Sequence, residues 1–593
     1  SCNLTVLQQE TVAPDIRRLT VQWQDPRHEP HAGQFYMLRA WAADATPILS
    51  RPISVNDFDN QTGALTFLYQ LKGEGTHKIA ALQPGQTLTV TGPCGNGFDT
   101  AALAGQYKRI AVVGGGIGTA PLLLLCKQLC RTGVRPDVYV GFRDTSYGMD
   151  RFVPWCHDVF VATDSGNEGH HGLVTDLLDA KNYDIVLTCG PMVMMRGVYQ
   201  LCAQSGTPCL FRAKAVILAA HNGGWKGSYL LNTCAGEGAA LAYGAGASLR
   251  NMEFIENWNV PKLFAWEGQT GMLPYGARFL NGEGEDFMRR YSPKLGAKAD
   301  PHYNVRGMAF EVRAGRGPIY FDTSTMSPEG VEIMTPTGGW MKLNDTKLKE
   351  LGIDFFKSKT EWMPQVLTSF GGTVADKDGW SGVPGLFVAG RARSVTPGVY
   401  MGGWDTCKTT TTGYIAGNSA GKYVSGLTSA PRFDDAHASG TLDATLSLLG
   451  KPGVYPKDVV RLMQELMAPM DVCILKTGKG LTRSLERLED AKRNILPYMT
   501  APEPHYLVKL VEARSMALIT EMYLKASLMR KESRSGHYRE DFPERHGDPA
   551  WIVIRDGHGG MDLRADPVPL DRYPVKPHRY YMDNFAFPKT SAI

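Results

Sequence analysis

Ile110-Ala111-Val112-Val113-Gly114-Gly115-Gly116-Ile117-Gly118-Thr119-Ala120-Pro121 is the stretch on which the reading of the chain turns. Its short apolar run, too brief for a helix, predicts a strand buried on both faces. The glycines that follow predict a tight turn open to close approach of a ligand, and Pro121 begins a helical pattern where its missing N–H does little harm. Strand, glycine turn and helix in that order suggest a dinucleotide-binding unit, although Thr119 stands where G-x-G-x-x-G has its third glycine. Downstream, Val138-Tyr139-Val140 and Ile185-Val186-Leu187 repeat the buried-strand pattern, so residues 101–210 are expected to form a parallel α/β domain. The last strand runs into Cys189-Gly190-Pro191, at the carboxyl edge where open α/β sheets bind ligands. Taken alone, Cys189 reads first as a buried structural thiol.

Upstream, residues 1–100 carry short alternating runs such as Leu19-Thr20-Val21-Gln22-Trp23 and Leu65-Thr66-Phe67-Leu68-Tyr69, broken by Pro, Gly and Asp-Asn turns. Period-two runs of this length predict a small antiparallel β-barrel. Within it, Arg51-Pro52-Ile53-Ser54 opens a strand; a guanidinium suits a pyrophosphate, and a hydroxyl suits a ring nitrogen. Gly73-Glu74-Gly75-Thr76 precedes a helical segment, where backbone N–H groups favour phosphate. Each tetrapeptide singly is an ordinary turn, and their order within one barrel is what gives them weight.

Residues 211–428 form a third region, with Ala215-Val216-Ile217-Leu218 near its start and Gly385-Leu386-Phe387-Val388-Ala389-Gly390 near its end. Its glycine turns, Gly223-Gly224, Gly236-Glu237-Gly238 and Gly390, follow apolar runs, and the irregular stretch 255–365 reads as an inserted cap. Residues 429–593 read as a helical domain, with Leu481, Leu485 and Leu488 on one stripe and Leu507, Leu510, Val511 and Leu518 on another. A Pro-rich extended tail is expected after Trp551. The fold class is thus multidomain α/β and α+β.

Composition narrows the function. Lys and Arg total 63 and Asp and Glu 59 in 593 residues, a net charge of +4, which gives no field of the kind that binds nucleic acid. Apolar runs fall short of the roughly 20 residues that span a bilayer, so no transmembrane segment is expected. The eleven cysteines include no C-x-x-C pair, which disfavours an internal cluster or zinc site, and no metal is expected. With no secretory segment visible at the start, the thiols read as reduced and the compartment as cytoplasmic. His170-His171 and His302 read as structural, and Lys408 lacks a preceding phosphate-binding loop.

Assembled, the first 210 residues or so resemble the ferredoxin-NADP-reductase superfamily, in particular the electron-transfer subunits of dihydroorotate dehydrogenase. The resemblance rests on Arg51–Ser54, Gly73–Thr76, Gly92-Pro93-Cys94-Gly95-Asn96-Gly97-Phe98, Gly114–Pro121 and Cys189–Met195. It implies FAD held by Arg51, Ser54, Gly75 and Thr76, with NAD(P)H on the loop Gly114, Gly115, Gly116, Gly118, Thr119, Ala120, Pro121. It further implies Cys189 near the nicotinamide, with Gly190 and Pro191 beside it and Ser54 and Cys189 in the catalytic roles. Where those subunits continue into a cysteine loop holding an iron–sulfur cluster, this chain runs from Cys202 and Cys209 directly to Phe211-Arg212-Ala213-Lys214.

From about 214 to 560 the chain resembles the flavoproteins of succinate dehydrogenase, fumarate reductase and adenylylsulfate reductase, above all in Arg530-Lys531-Glu532-Ser533-Arg534-Ser535-Gly536-His537-Tyr538-Arg539. Arg530, Glu532, Arg534 and Arg539 are expected to form a structural charge network. The family's N-terminal FAD fingerprint has no counterpart here, and Arg391 stands where an acidic residue follows Ala-Gly. The junction at 209–214 leaves two explanations open, a fusion whose flavin site another chain completes or a loss of sequence. The expectation is a flavin-dependent NAD(P)H oxidoreductase passing electrons to a second redox centre or partner subunit. Room remains for a second FAD at Gly223, Gly224, Gly236, Gly238 and Gly390. The alternatives are a fumarate or adenylylsulfate type of reductase and a non-catalytic docking subunit of an electron-transfer complex.

Overall fold

The structure, a computed structural model, describes residues 2–574 apart from 24–28, 43–44, 46, 48–49, 95–96, 211–214, 222, 228–233, 265, 267–268, 337–338, 396–403, 428–434, 546–547 and 558–559. The junction residues 211–214, and Gly95 and Asn96 of the barrel motif, therefore lie outside the described residues. The chain divides into two compact units, Ser1–Ala213 and Lys214–Ile593.

In the first unit, β1 (Cys2–Ala13), β2 (Ile16–Gln22), β3 (Phe35–Arg39), β4 (Arg51–Asp59), β5 (Ala64–Gln70) and β6 (Thr87–Cys94) close an antiparallel barrel in the order β1-β2-β5-β4-β3-β6. Alternation fills it: Ile16, Leu19 and Val21 of β2 are buried, and Tyr36 meets Trp23 and Phe67 edge-on at centroid distances of 5.4 and 5.7 Å. Helix α1 (Glu74–Ala80) lies between β5 and β6, and α2 (Thr100–Gln106) leads out of the barrel.

The same unit continues with β7 (Ile110–Gly115), α3 (Leu122–Arg131), β8 (Asp137–Phe142), β9 (Val159–Thr163), β10 (His170–His171), α4 (Val174–Leu177), β11 (Ile185–Cys189), α5 (Met192–Ser205) and β12 (Cys209–Leu210). Its sheet is parallel, in the order β10-β9-β8-β7-β11-β12, and every residue of β7 is buried, as the unbroken apolar run foretold. Barrel and sheet share one apolar core. Buried Asp57 of β4 is gripped by Lys127 of α3 and by Arg151, each at 2.6 Å, and Gln128 of α3 donates to the Pro30 carbonyl and accepts from the Ala32 N–H. Such a carboxylate fixes the barrel on the sheet, because removing either cation leaves a charge partly uncompensated out of water.

In the second unit, β13 (Val216–Leu218) pairs in parallel with a later strand, Leu386–Val388. Among its described residues, the stretch read as an irregular cap carries regular structure: β14 (Leu249–Arg250) is followed by β15 (Ile255–Pro261), β16 (Arg278–Leu280), β17 (Ile319–Asp322) and β18 (Lys359–Ser369), the last four forming an antiparallel sheet in the order β15-β18-β17-β16. Its partners are far apart in sequence and separated by short helices, so no local period announces it. Trp266, Phe279, Phe321, Phe355 and Trp362 form its core.

The helical region is built on Pro456–Met467, Gly478–Asn494 and Pro504–Met529. Leu481 and Leu488 are buried as expected, whereas Val511 is 44% exposed, because the buried stripe of its helix runs through Leu510, Ala513, Ala517 and Leu524. The segment after Trp551 is not simply an extended tail. Residues Ala550–Gly557 and Gly560–Pro567 form a hairpin whose first strand pairs with β14.

Candidate active site

The loop after β7 is shaped by what surrounds it. A Cβ on Gly118 would lie 2.5 Å from Gly190 Cα and 2.7 Å from the Cys189 carbonyl oxygen, and one on Gly115 2.6 Å from Met194 Sδ. Gly190 in turn would meet the Gly115 nitrogen at 3.0 Å, and Gly114 would meet Leu122 and Thr119. These glycines let two loops at the ends of adjacent strands interlock, Cys189 being the register partner of Gly114. Gly116 differs: its φ is +51° and a Cβ there would meet nothing within 4 Å, so this position faces open space. Thr119 is buried and its hydroxyl donates to the Gly116 carbonyl at 2.9 Å, closing the turn where the fingerprint has glycine. Ala120 is buried beside it, and Pro121 caps α3.

β4 reaches this loop from the barrel. Ile53 packs against the barrel core and Val55 is within it, so Ser54 and Asn56 share the opposite face. On that face Asn56 Nδ2 donates to the Ala120 carbonyl at 2.8 Å. Ser54, register partner of Phe35, stands two residues earlier and is half-buried, while Pro52 is exposed. Three segments thus converge: the outer face of β4, the Gly114–Pro121 loop and Cys189-Gly190-Pro191.

A second group gathers at the start of β4, three residues from Ser54 or roughly 10 Å along the strand. Trp41 carries Arg39, Arg51 and Lys78 around its ring at 5.8, 5.9 and 6.0 Å. Gly75 allows this, since a Cβ there would lie 2.4 Å from Arg51 Nε and 3.0 Å from the Trp41 ring. Gly73 is the extended residue that caps α1. Thr76 is committed to the local turn: its hydroxyl donates to the Gly73 carbonyl and accepts from the N–H groups of Lys72 and Gly73. Arg51, Gly73, Gly75 and Thr76 therefore form one cationic corner, with Thr76 shaping it.

At the sheet edge, burial pushes the Cys189 thiol above its ordinary value, so it stands as a small neutral group. The residue before it was not singled out from the sequence. Thr188, register partner of Val113, is 5% exposed and its hydroxyl has no hydrogen-bond partner. Open Gly116, orphaned Thr188 and the Arg51 corner fit a phosphate-linked cofactor. Asn56, Trp41 and Lys78 were likewise missed, because their roles depend on pairings across the barrel.

The glycines proposed in the second unit sit otherwise. Gly223 and Gly236 both back onto Ile519, at 2.3 and 2.6 Å from a hypothetical Cβ. Gly238 meets Ala220, Gly224 meets the Cys234 and Leu367 carbonyls, and Gly390, at φ +62°, faces Thr409. Beyond Gly390, Arg391 pairs with Glu256 at 3.3 Å and Asp405 at 2.7 Å, and Lys408 pairs with Asp405. The charge network is real but differently wired: Arg530 joins Glu253 and Glu532, Arg534 joins Glu532, and Arg539 turns to Asp541. Lys476 is buried beside it, donating to the Glu253 carbonyl and lying 2.9 Å from His537 Nδ1. Burial drives Lys476 down to about 7 and His537 well below its ordinary value.

A closed antiparallel barrel packed on a parallel sheet, with a cationic corner and a glycine loop, defines a ferredoxin-reductase-like flavin module. Residues 3–98 match the oxidoreductase FAD-binding domain family, 169–404 the FAD binding domain family and 460–580 the fumarate reductase flavoprotein C-terminal family. Over 180 residues the chain is 41% identical to the dihydroorotate dehydrogenase B (NAD(+)) electron transfer subunit of Clostridium acetobutylicum, covering 30% of this chain and 70% of that one. The Bacillus caldolyticus subunit is 38% identical over 199 residues, 33% of this chain and 76% of that one. Through its first unit, the chain belongs to the family of these electron-transfer subunits. Among solved structures, the E. coli quinol fumarate reductase FrdA chain gives a TM-score of 0.53 at 19% identity over 61% of this chain, and Mycobacterium smegmatis Sdh1 gives 0.52 at 25% over 62%. The chain spans 66% and 64% of those two proteins. It is a flavoprotein of oxidoreductase type, and among the described residues no helix is long and apolar enough to cross a membrane.

Proposed function

We propose that the first unit accepts a hydride from NAD(P)H and delivers the electrons to a second redox centre or partner subunit, within an electron-transfer complex in the cytoplasm. The observation that carries this is the convergence of β4, through the Asn56 bond to Ala120, with the two interlocked loops at Gly118 and Gly190. Bound FAD supplies the two-electron to one-electron conversion. Arg51 neutralises the pyrophosphate, Ser54 offers a hydroxyl to the flavin edge, and Gly116 admits the nicotinamide nucleotide. Thr188 offers a donor beside it, and Cys189 keeps that edge neutral and dry. Purified protein is expected to show flavin absorbance that bleaches anaerobically on adding NADH or NADPH; a colourless protein, or one whose flavin neither nucleotide reduces, sinks the reading.

Dicarboxylate reduction in the second unit is the weaker reading. Arg391, next to the Gly390 turn, and Lys408 are already neutralised by Glu256 and Asp405.

A further inference from the structure

β4 is irregular where it reaches the nucleotide-binding sheet. Val55 pairs with Phe67 and Asp57 with Thr66, so Asn56 is an extra residue in the ladder, a bulge. The alternation breaks there. Val55 and Phe58 both enter the apolar core, whereas Asn56 and Asp57, 3% and 5% exposed, both find their side-chain partners on the sheet side.

Those partners form a relay. Asp57 Oδ1 accepts from Lys127 at 2.6 Å and from the Phe58 N–H at 2.8 Å, and its Oδ2 accepts from Lys127 at 2.8 Å and from Arg151 Nη2 at 2.6 Å. Arg151 lies in the turn Met149–Arg151 between β8 and β9, and its Nη1 also donates to Asn56 Oδ1 at 3.5 Å. A guanidinium only donates, so it claims the amide oxygen, and Nδ2 is left for the Ala120 carbonyl, which only accepts. That last bond, 2.8 Å long, holds the residue that closes the turn Gly116–Thr119. Lys127 alone would neutralise Asp57. The second cation is accounted for by what its fork does next, which is to fix which way round Asn56 is held.

We infer that Arg151 and Asp57 are positioning residues for hydride transfer: acting through Asn56, they set the spacing between the strand that carries Ser54 and the loop that receives the nicotinamide nucleotide. This rests on the reading of the first unit as an NAD(P)H-to-flavin module. Asp57 holds the guanidinium, the guanidinium orients the amide, and the amide holds the loop.

The test uses the full chain with its flavin bound and two variants. Arg151→Lys keeps a cation for Asp57 but lacks the fork that spans two side chains, and Asn56→Ala removes the bond to Ala120 while leaving the ion pairs. Both are expected to keep flavin at the parental ratio. Anaerobic flavin reduction, at saturating NADH or NADPH, whichever reduces the parent, is expected to slow about tenfold in each. The backbone amides of 114–120 are expected to exchange hydrogen faster, read by mass spectrometry. Because the two changes break one relay, the double variant is expected to be no slower than the slower single one. A parent whose flavin neither nucleotide reduces defeats the reading of the unit, and this inference with it. A parent that is reduced, with Arg151→Lys matching it in both rate and loop exchange, defeats the inference alone, as do two defects that add in full. Exchange is read with or without flavin, so a variant that releases its flavin while its loop exchanges at the parental rate also counts against it.

Discussion

Both units place glycines after short apolar strands, yet the space those glycines release is used differently. In the first unit Gly115, Gly118 and Gly190 bring two loops of one sheet edge into backbone contact, and Gly116 is left facing open space. In the second, Gly223 and Gly236 make room for the single side chain of Ile519, and Gly238 for Ala220. A glycine cluster after a strand is therefore ambiguous until its neighbours are known: one arrangement builds a cleft, the other docks a helix.

The largest effect expected from breaking this contrast is at Gly118. Valine there would push against Gly190 Cα and the Cys189 carbonyl, both backbone, so the loops must separate. A misplacement of ~1 Å at a reacting centre is worth about a hundredfold in rate. Stopped-flow flavin reduction by NADH should slow by about that factor; an unchanged rate would separate the loop from the chemistry. Gly236→Ala is the matching probe in the second unit. At φ +90° and 2.6 Å from Ile519, it should destabilise that unit by about 2 kcal/mol in urea unfolding while leaving flavin reduction at the wild-type rate. Arg51→Ala comes next: loss of one charge-assisted contact should weaken flavin retention about tenfold, near 1.4 kcal/mol, in a dialysis assay. Equal flavin content in variant and parent would reject the Arg51 assignment.

A further difference between the units concerns protons. Lys476 loses its proton near 7 in the native state, whereas an unfolded lysine holds it to about 10.5. Between those values the unfolded chain binds more protons, so stability rises with pH from 7 toward 10.5, at no more than ~1.4 kcal/mol per unit, and is lowest below 7. His537, kept neutral by burial, acts in the same sense below its ordinary 6.5. The second unit's melting temperature should climb between pH 6 and 9, and Lys476→Met should flatten the climb; a flat wild-type profile would contradict the buried-lysine account.

Sequence made the first unit legible because its signals are local. The all-buried run Ile110–Val113, the glycines after it and the Arg51–Ser54 strand each carry their own period or turn chemistry, and the barrel and sheet form from them. The cap sheet β15-β18-β17-β16 was hidden because Ile255 pairs with Ser369, more than a hundred residues away, a pairing no window can contain. The hairpin after Trp551 was hidden by its prolines, which sit at and beyond its end rather than within its ladder. Site residues divided in the same way. Arg51 and Gly75 were visible as motif positions, but Trp41, Asn56 and Thr188 matter through cross-strand contacts that leave no mark on spacing.

Thr188 supplies the smallest predicted effect and the sharpest separation of fold from function. Its hydroxyl is buried without a partner, so it carries a desolvation penalty that the folded chain alone does not recover. Valine has nearly the same shape and no such penalty, and Thr188→Val is expected to raise the stability of the first unit by about 1 kcal/mol in urea unfolding. If that hydroxyl is retained to meet the nicotinamide nucleotide, the same variant should bind NADH about threefold to tenfold more weakly, a loss near 1 kcal/mol. Opposite signs in the two measurements mark a residue kept for its ligand, as strained or unsatisfied groups at functional sites generally are. A variant that gains stability and binds NADH as the parent does would show that the orphaned hydroxyl belongs to packing, and that the open space at Gly116 serves some other guest.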